Sequence, residues 1–207
     1  MGLLLMQFEY QRAKVKANTL ELRSIRLNDM QERYSKRIAN VQTIFSKKRQ
    51  SIENNFSQLS NQANMALQGG RGSVLAFNGA IGSFAAMGIK GITGQLSEDS
   101  ILEKAKSEED ISDSKKQSLI SQALTQAANN IQMQLQNAIN MMKELELADL
   151  DMKEDAQLAP LADKDAELQS DIAATDAALE IVKSREEAAK NRLPDTIKKS
   201  VAHFGLS

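Results

Sequence analysis

"GGRGSVLAFNGAIGSFAAMGIKGITGQL", residues 69–96, holds eight of the ten glycines in a chain of 207 residues. It contains one Arg, one Lys and no acid, and residues 73–89 carry no charge at all. The sequence on either side is charged and rich in Ala, Leu, Gln, Glu and Lys, the residues of long helices. Glycine weakens a helix interior by about 1 kcal/mol per residue relative to Ala. The stretch therefore reads as a break between two helical arms, and a break lets the second arm fold back on the first.

Upstream, no Gly interrupts residues 3–68 and no Pro interrupts residues 1–159. Leu20, Leu27, Tyr34 and Val41 are seven apart, and Ile38, Phe45, Ile52 and Leu59 form a second row four residues out of step. Two such rows lie on one stripe of a helix and make the seam of a coiled coil. The pattern predicts a helix from about Leu5 to about Leu67, on the order of 90 Å long at about 1.5 Å per residue. Ser24, Gln31 and Lys48 fall on seam positions and break the stripe. A stripe of that length looks too long for two shorter helices to cover, which predicts that the chain is not a stable monomer.

Downstream, "SEDSILEK" (97–104) offers Ser97 as an N-cap, and "SDSKKQSLISQ" (112–122) offers a second start at Ser112 or Asp113. A heptad pattern then resumes. Ile120, Ala127, Met141 and Ala148 form one row, and Leu124, Ile131, Ala138, Leu145, Met152 and Ala159 form the other, with Gln134 and Asp155 as exceptions. Pro160 removes a helical hydrogen bond and clashes with the preceding turn, at roughly 3 kcal/mol. The seam changes phase there, continuing through Leu158, Leu161, Leu168, Ile172, Leu179, Val182, Ala189 and Leu193. Together these predict a turn or sharp kink at Pro160 and a last helix ending at "RLPD" (192–195), since the residue before Pro194 is pushed away from helical geometry. Ile197, Val201 and Phe204 give the tail an apolar side.

The fold class is thus all-α: an elongated helical hairpin or coiled-coil bundle with one very long N-terminal helix, a Gly-rich apolar centre and two C-terminal helices folding back. The segments are 1–68, a basic helix; 69–96, the centre; 97–159, an acidic linker and heptad helix; and 160–207, a last helix and tail. Residues 1–68 hold eleven Lys/Arg against five Asp/Glu, whereas residues 97–180 hold seven against nineteen. Opposite charge favours antiparallel docking of the two arms, although exposed pairs contribute little one by one.

Little here supports chemistry. Aromatic residues are 4% of the chain, with no Trp and no Cys, and mean hydropathy is −0.40. Without Cys there is no disulfide framework, thiolate metal site or thiol nucleophile. "DLDMKEDAQLAP" (149–160) has alternating acids, yet a calcium loop needs Gly where Glu154 stands and Glu where Pro160 stands. His203 is the lone histidine, too few for a zinc or di-iron site. The glycines at 69, 70 and 72 lack the Lys of a phosphate loop. No cofactor, metal or catalytic residue is expected, and the chain reads as a non-enzyme.

Three roles remain. The first is a structural or interaction protein that self-assembles into a filament, ring or tip-like assembly. Its contacts are the seam residues Leu27, Tyr34, Ile38, Val41, Phe45 and Ile52, and Gly79, Gly82, Phe84 and Ala86 of the centre. A second copy is the favoured partner, with another helical protein as the alternative. The second role is a secreted membrane-active protein that inserts residues 73–89, whose small residues recur three and four apart as in helices that approach closely in membranes. The third is polyanion or nucleic-acid binding by the basic arm. It is disfavoured because Glu9, Glu21, Asp29, Glu32 and Glu53 interleave the cations. The start, "MGLLLMQFEYQRAK", has no basic region before its short apolar run, so no Sec signal is expected, and Met6 spoils a myristoylation motif. That leaves a cytoplasmic protein or one exported without a signal peptide.

Overall fold

A computed structural model describes residues 2–103 and 112–203. These residues form four helices, α1 (Gly2–Gly70), α2 (Val74–Ala86), α3 (Glu98–Glu103) and α4 (Asp113–His203). No strand occurs among the described residues. The chain is an all-α helical hairpin whose arms are α1 and α4. It divides into two compact units, one formed by Met1–Thr43 with Glu154–Ser207, the other by Ile44–Lys153. Each unit takes a piece of both long helices.

In the first unit the two helices run antiparallel. Ser24 Oγ donates to Asp176 Oδ1 at 2.8 Å, and Lys183 Nζ meets Glu21 Oε1 at 2.6 Å. The covered stripe of α1 follows the predicted heptads through Ala17, Leu20, Ser24 and Leu27 to Tyr34, Ile38 and Val41, and α4 answers with Leu161, Leu168, Ile172, Leu179, Val182 and Leu193. Ser24 thus occupies the seam as a polar contact between the helices.

The second unit uses a different period. Phe45, Phe56 and Leu67 are eleven apart and buried, as are Ile52 and Ala63 on α1 and Leu124 and Leu135 on α4. Ala128, Ile139 and Leu150 repeat the interval. Eleven residues fill three turns at about 3.67 per turn, slightly above the natural period, whereas a heptad lies below it. The stripe consequently skips Lys48, whose ammonium lies 5.1 Å from the centre of the Phe45 ring, and moves on to Arg49 and Ile52. Arg49 then pairs with Asp151 of α4 at 2.6 Å.

Three expectations about α4 need correction. Residues 113–203 form one helix rather than two, with Pro160 and Pro194 inside it. Pro160 and Ala156, whose carbonyl loses its donor, are both exposed, so water can satisfy that carbonyl. Leu158 and Leu161 on either side are half-buried, so the covered side of the helix continues across the proline. Because α4 is 91 residues long against 69 for α1, the premise that α1's stripe is too long to be covered by its own chain fails. Finally, Met141, Leu145 and Met152 are more than 60% exposed, so the heptad read there is not the covered seam.

The glycine-rich centre belongs to the second unit. Ser73 caps α2, its hydroxyl accepting from Ala76 N–H at 3.2 Å. Val74, Phe77, Ala80, Ile81 and Phe84 of α2 are buried, with Phe77 and Phe84 at 0% exposure. Every fully buried large side chain among the described residues lies in this unit: Phe45, Leu67, Phe77, Phe84, Ile89, Ile131 and Leu135. The end of α1 meets α2 closely at Gly70, where a Cβ would lie 3.0 Å from Ala80 Cβ and 3.1 Å from Phe77 Cα. Gly88, at φ 83°, supplies the left-handed turn after α2 that a side chain would strain. The chain then returns past α2 and α4, held by side-chain amides. Asn78 Nδ2 donates to Leu96 O at 2.8 Å and Asn78 Oδ1 accepts from Leu96 N–H at 2.9 Å, while Gln134 Oε1 accepts from Thr93 N–H at 3.2 Å.

Candidate interaction surfaces

The structure distributes the ten sequence-derived contact residues unevenly. Leu27, Phe45, Ile52 and Phe84 are buried within the chain, and Tyr34, Ile38 and Val41 are half-buried in the first unit's seam. Tyr34 lies near Lys164, whose pKa is raised above the ordinary lysine value by its hydrogen bond to Glu167 at 2.5 Å. Gly79, Gly82 and Ala86 are exposed on the outer side of α2, together with Leu75. A Cβ at Gly79 or Gly82 would meet nothing within 4 Å. The aromatic residues of α2 therefore serve the chain's own core, and its glycines face outward. Phe204 and the side chains of Val201 and His203 lie outside what the structure describes.

Two apolar faces stand apart from the covered seams. On α1, Leu4, Phe8, Val15, Leu22 and Ile25 are between 58% and 76% exposed. Phe8, Val15 and Leu22 are seven apart, with Leu4 and Ile25 on the flanking row. At about 100° per residue they lie on the side of α1 opposite Ala13, Ala17 and Leu20. Gln11 and Asn18 complete the row. On α4, Met141, Leu145, Ala148 and Met152 form a second exposed heptad stripe on the side away from Leu135, Ile139 and Leu150.

The surroundings of the two stripes differ in sign. Arg12, Lys14 and Arg26 border the α1 stripe with two acids, Glu21 and, one heptad past Leu22, Asp29, whereas Glu144, Asp149 and Asp151 border the α4 stripe. Asp149 also meets Lys153 at 2.5 Å and Asp151 meets Arg49 at 2.6 Å. Both acids stay more than half exposed, and a carboxylate accepts several hydrogen bonds.

A third feature is a groove between α1 and α4 in the first unit, about 520 Å³ in volume. Its floor includes Met6, Ala13, Val182 and Ala189, and Arg12, Lys16, Arg185 and Arg192 stand around it with a single acid, Glu9. Sequence reading missed this cluster because the cations come from helices some 170 residues apart. The α1 stripe was missed as well, because the heptads were read only from Leu20 onward, although Phe8, Val15 and Leu22 stand seven apart in the sequence.

Among the described residues no helix is long and apolar enough to cross a membrane, and no group of His, Asp or Glu is placed to hold a metal ion. Comparison with protein-family models, with curated proteins and with solved structures finds no match.

Proposed function

We propose that this chain is a non-enzymatic structural protein that associates with copies of itself through its long helices. The observation that carries this reading is the α1 stripe: five large apolar side chains in heptad order, exposed on a helix whose opposite face is already covered. Contiguous exposed apolar surface marks an association site in a folded chain. Burial of each such side chain contributes about 1.5–3 kcal/mol, on the order of 10 kcal/mol for five. Association costs about 4–15 kcal/mol in lost freedom. The stripe alone thus supports a concentration-dependent contact rather than a permanent one.

Sedimentation velocity over a hundredfold range of concentration tests the reading. Mass rising with concentration is the expected result, and a monomer across the whole range would remove the proposal. Repeating the measurement with anionic lipid vesicles addresses the membrane alternative. Co-flotation with lipid and loss of the protein-only assembly would favour insertion instead.

The cationic groove supports a second reading, capture of an anionic chain. Arg12, Lys16 and Arg185 on one groove are the kind of concentrated patch that polyanion binding needs. Salt-sensitive retention on a sulfated polymer, reduced in Arg12→Ser/Arg185→Ser, is its test.

A further inference from the structure

The two exposed stripes differ in the charge beside them, and this selects which face meets which. We infer that the basic stripe of one copy (Leu4, Phe8, Val15, Leu22, Ile25) docks on the acidic stripe of a second copy (Met141, Leu145, Ala148, Met152). The inference rests on the assembly reading above and specifies its contact. In coiled coils the residues flanking the apolar seam decide partner and orientation. Basic stripe against basic stripe would set Arg12, Lys14 and Arg26 against their own kind, with Glu21 and Asp29 relieving only part of the repulsion. Acidic against acidic would crowd Glu144, Asp149 and Asp151, with Lys153 beside Asp149 and Arg49 beside Asp151 relieving only part of the repulsion. Only the mixed pairing brings opposite charges together, and like-charge contacts penalise the other two.

The basic stripe covers residues 4–25 and the acidic one 141–152, so the acidic face seats about half of the basic stripe's length. Each row also contains polar positions, Gln11 and Asn18 on one and Asp155 on the other. Such insertions lower affinity and restrict register. The acidic row, built largely of Met and Ala, offers a flexible apolar surface for Phe8 and the branched side chains opposite.

A contact between two different faces of the same chain is heterologous. Each copy keeps one face of each kind unused, so copies add head to tail until the rotation closes a ring or the chain grows as a filament. This distinguishes the inference from a simple dimer, in which one face meets itself and growth stops.

Two double variants test the pairing. Val15→Glu/Leu22→Glu blocks the basic stripe, and Leu145→Glu/Met152→Glu blocks the acidic one. All four positions are exposed and Glu is a good helix former, so far-UV circular dichroism should match the natural chain. Gln replaces Glu in any variant that loses helicity. Each variant alone should associate at least tenfold more weakly than the natural chain. Mixed in equal amounts, they should form a 1:1 heterodimer and stop there, because each supplies the face the other lacks. If either variant alone assembles like the natural chain, or if the mixture stays monomeric, the pairing is wrong while self-assembly stands. If the natural chain is itself monomeric, both the pairing and the assembly reading fall.

Discussion

Asn78 and Leu96 hold each other by two hydrogen bonds, the side-chain amide donating to the carbonyl at 2.8 Å and accepting from the N–H at 2.9 Å. In sequence Asn78 is an intruder in an apolar run; in the structure it closes the loop that follows α2. The group is partly buried, so removing it leaves Leu96's backbone without partners in a poorly hydrated place. Asn78→Ala should cost about 1–3 kcal/mol. Hydrogen exchange should quicken at Leu96 first, and unchanged exchange there would mean that the clasp contributes nothing.

Phe77 and Phe84 are fully buried, whereas Leu75 on the same helix is 85% exposed. Truncation of a buried Phe costs about 3–5 kcal/mol, from lost transfer energy and the cavity left behind. Phe77→Ala and Phe84→Ala should each lower the urea midpoint of the second unit strongly, while Leu75→Ala should shift it by less than about 0.5 kcal/mol. Three equal shifts would show that α2 packs by another face.

The covered seam of α1 up to Phe45 was legible because heptads announce themselves in any single helix. The change to an eleven-residue period was not, since 45, 49, 52 and 56 resemble a faulty heptad until the partner helix is seen. The acidic stripe shows the same difficulty from the other side. Leu145 and Met152 do repeat every seven residues, and reading them as the covered seam produced an apparent phase change at Pro160. The rows before and after Pro160 belong to different faces of one helix. Of the proposed assembly surface, both rows are present in the sequence, but periodicity says only that a stripe exists. Exposure in the fold says which stripe is still free.

Pro160 is therefore an imperfection within a helix rather than its boundary. Pro160→Ala restores one hydrogen bond to Ala156 and relieves the ring clash, so it should stabilise the protein by about 1–3 kcal/mol. The direction is the informative part. Had Pro160 begun a new helix after a turn, the same change would be neutral or destabilising, and a lowered melting temperature would indicate that arrangement.

The glycines of the opening stretch make a final prediction, because the structure gives them different work. At Gly70 a Cβ would lie 3.1 Å from Phe77 Cα, a backbone atom that cannot swing aside, and 3.0 Å from Ala80 Cβ. Gly70→Ala must push α1 and α2 apart, and overpacking of this kind costs about 1–3 kcal/mol. At Gly79 and Gly82 a Cβ meets nothing within 4 Å, and both lie inside α2 at ordinary helical geometry. Gly79→Ala and Gly82→Ala should each stabilise by about 0.5–1 kcal/mol, since alanine loses less backbone freedom on folding. Urea denaturation of the three variants checks the opposite signs. Sedimentation of the same samples adds a second readout. If the alanine at 79 or 82 stabilises the fold but weakens self-association, the outer side of α2 is itself a contact. If association is unchanged, those glycines are dispensable to it, as the proposed docking of α1 on α4 requires.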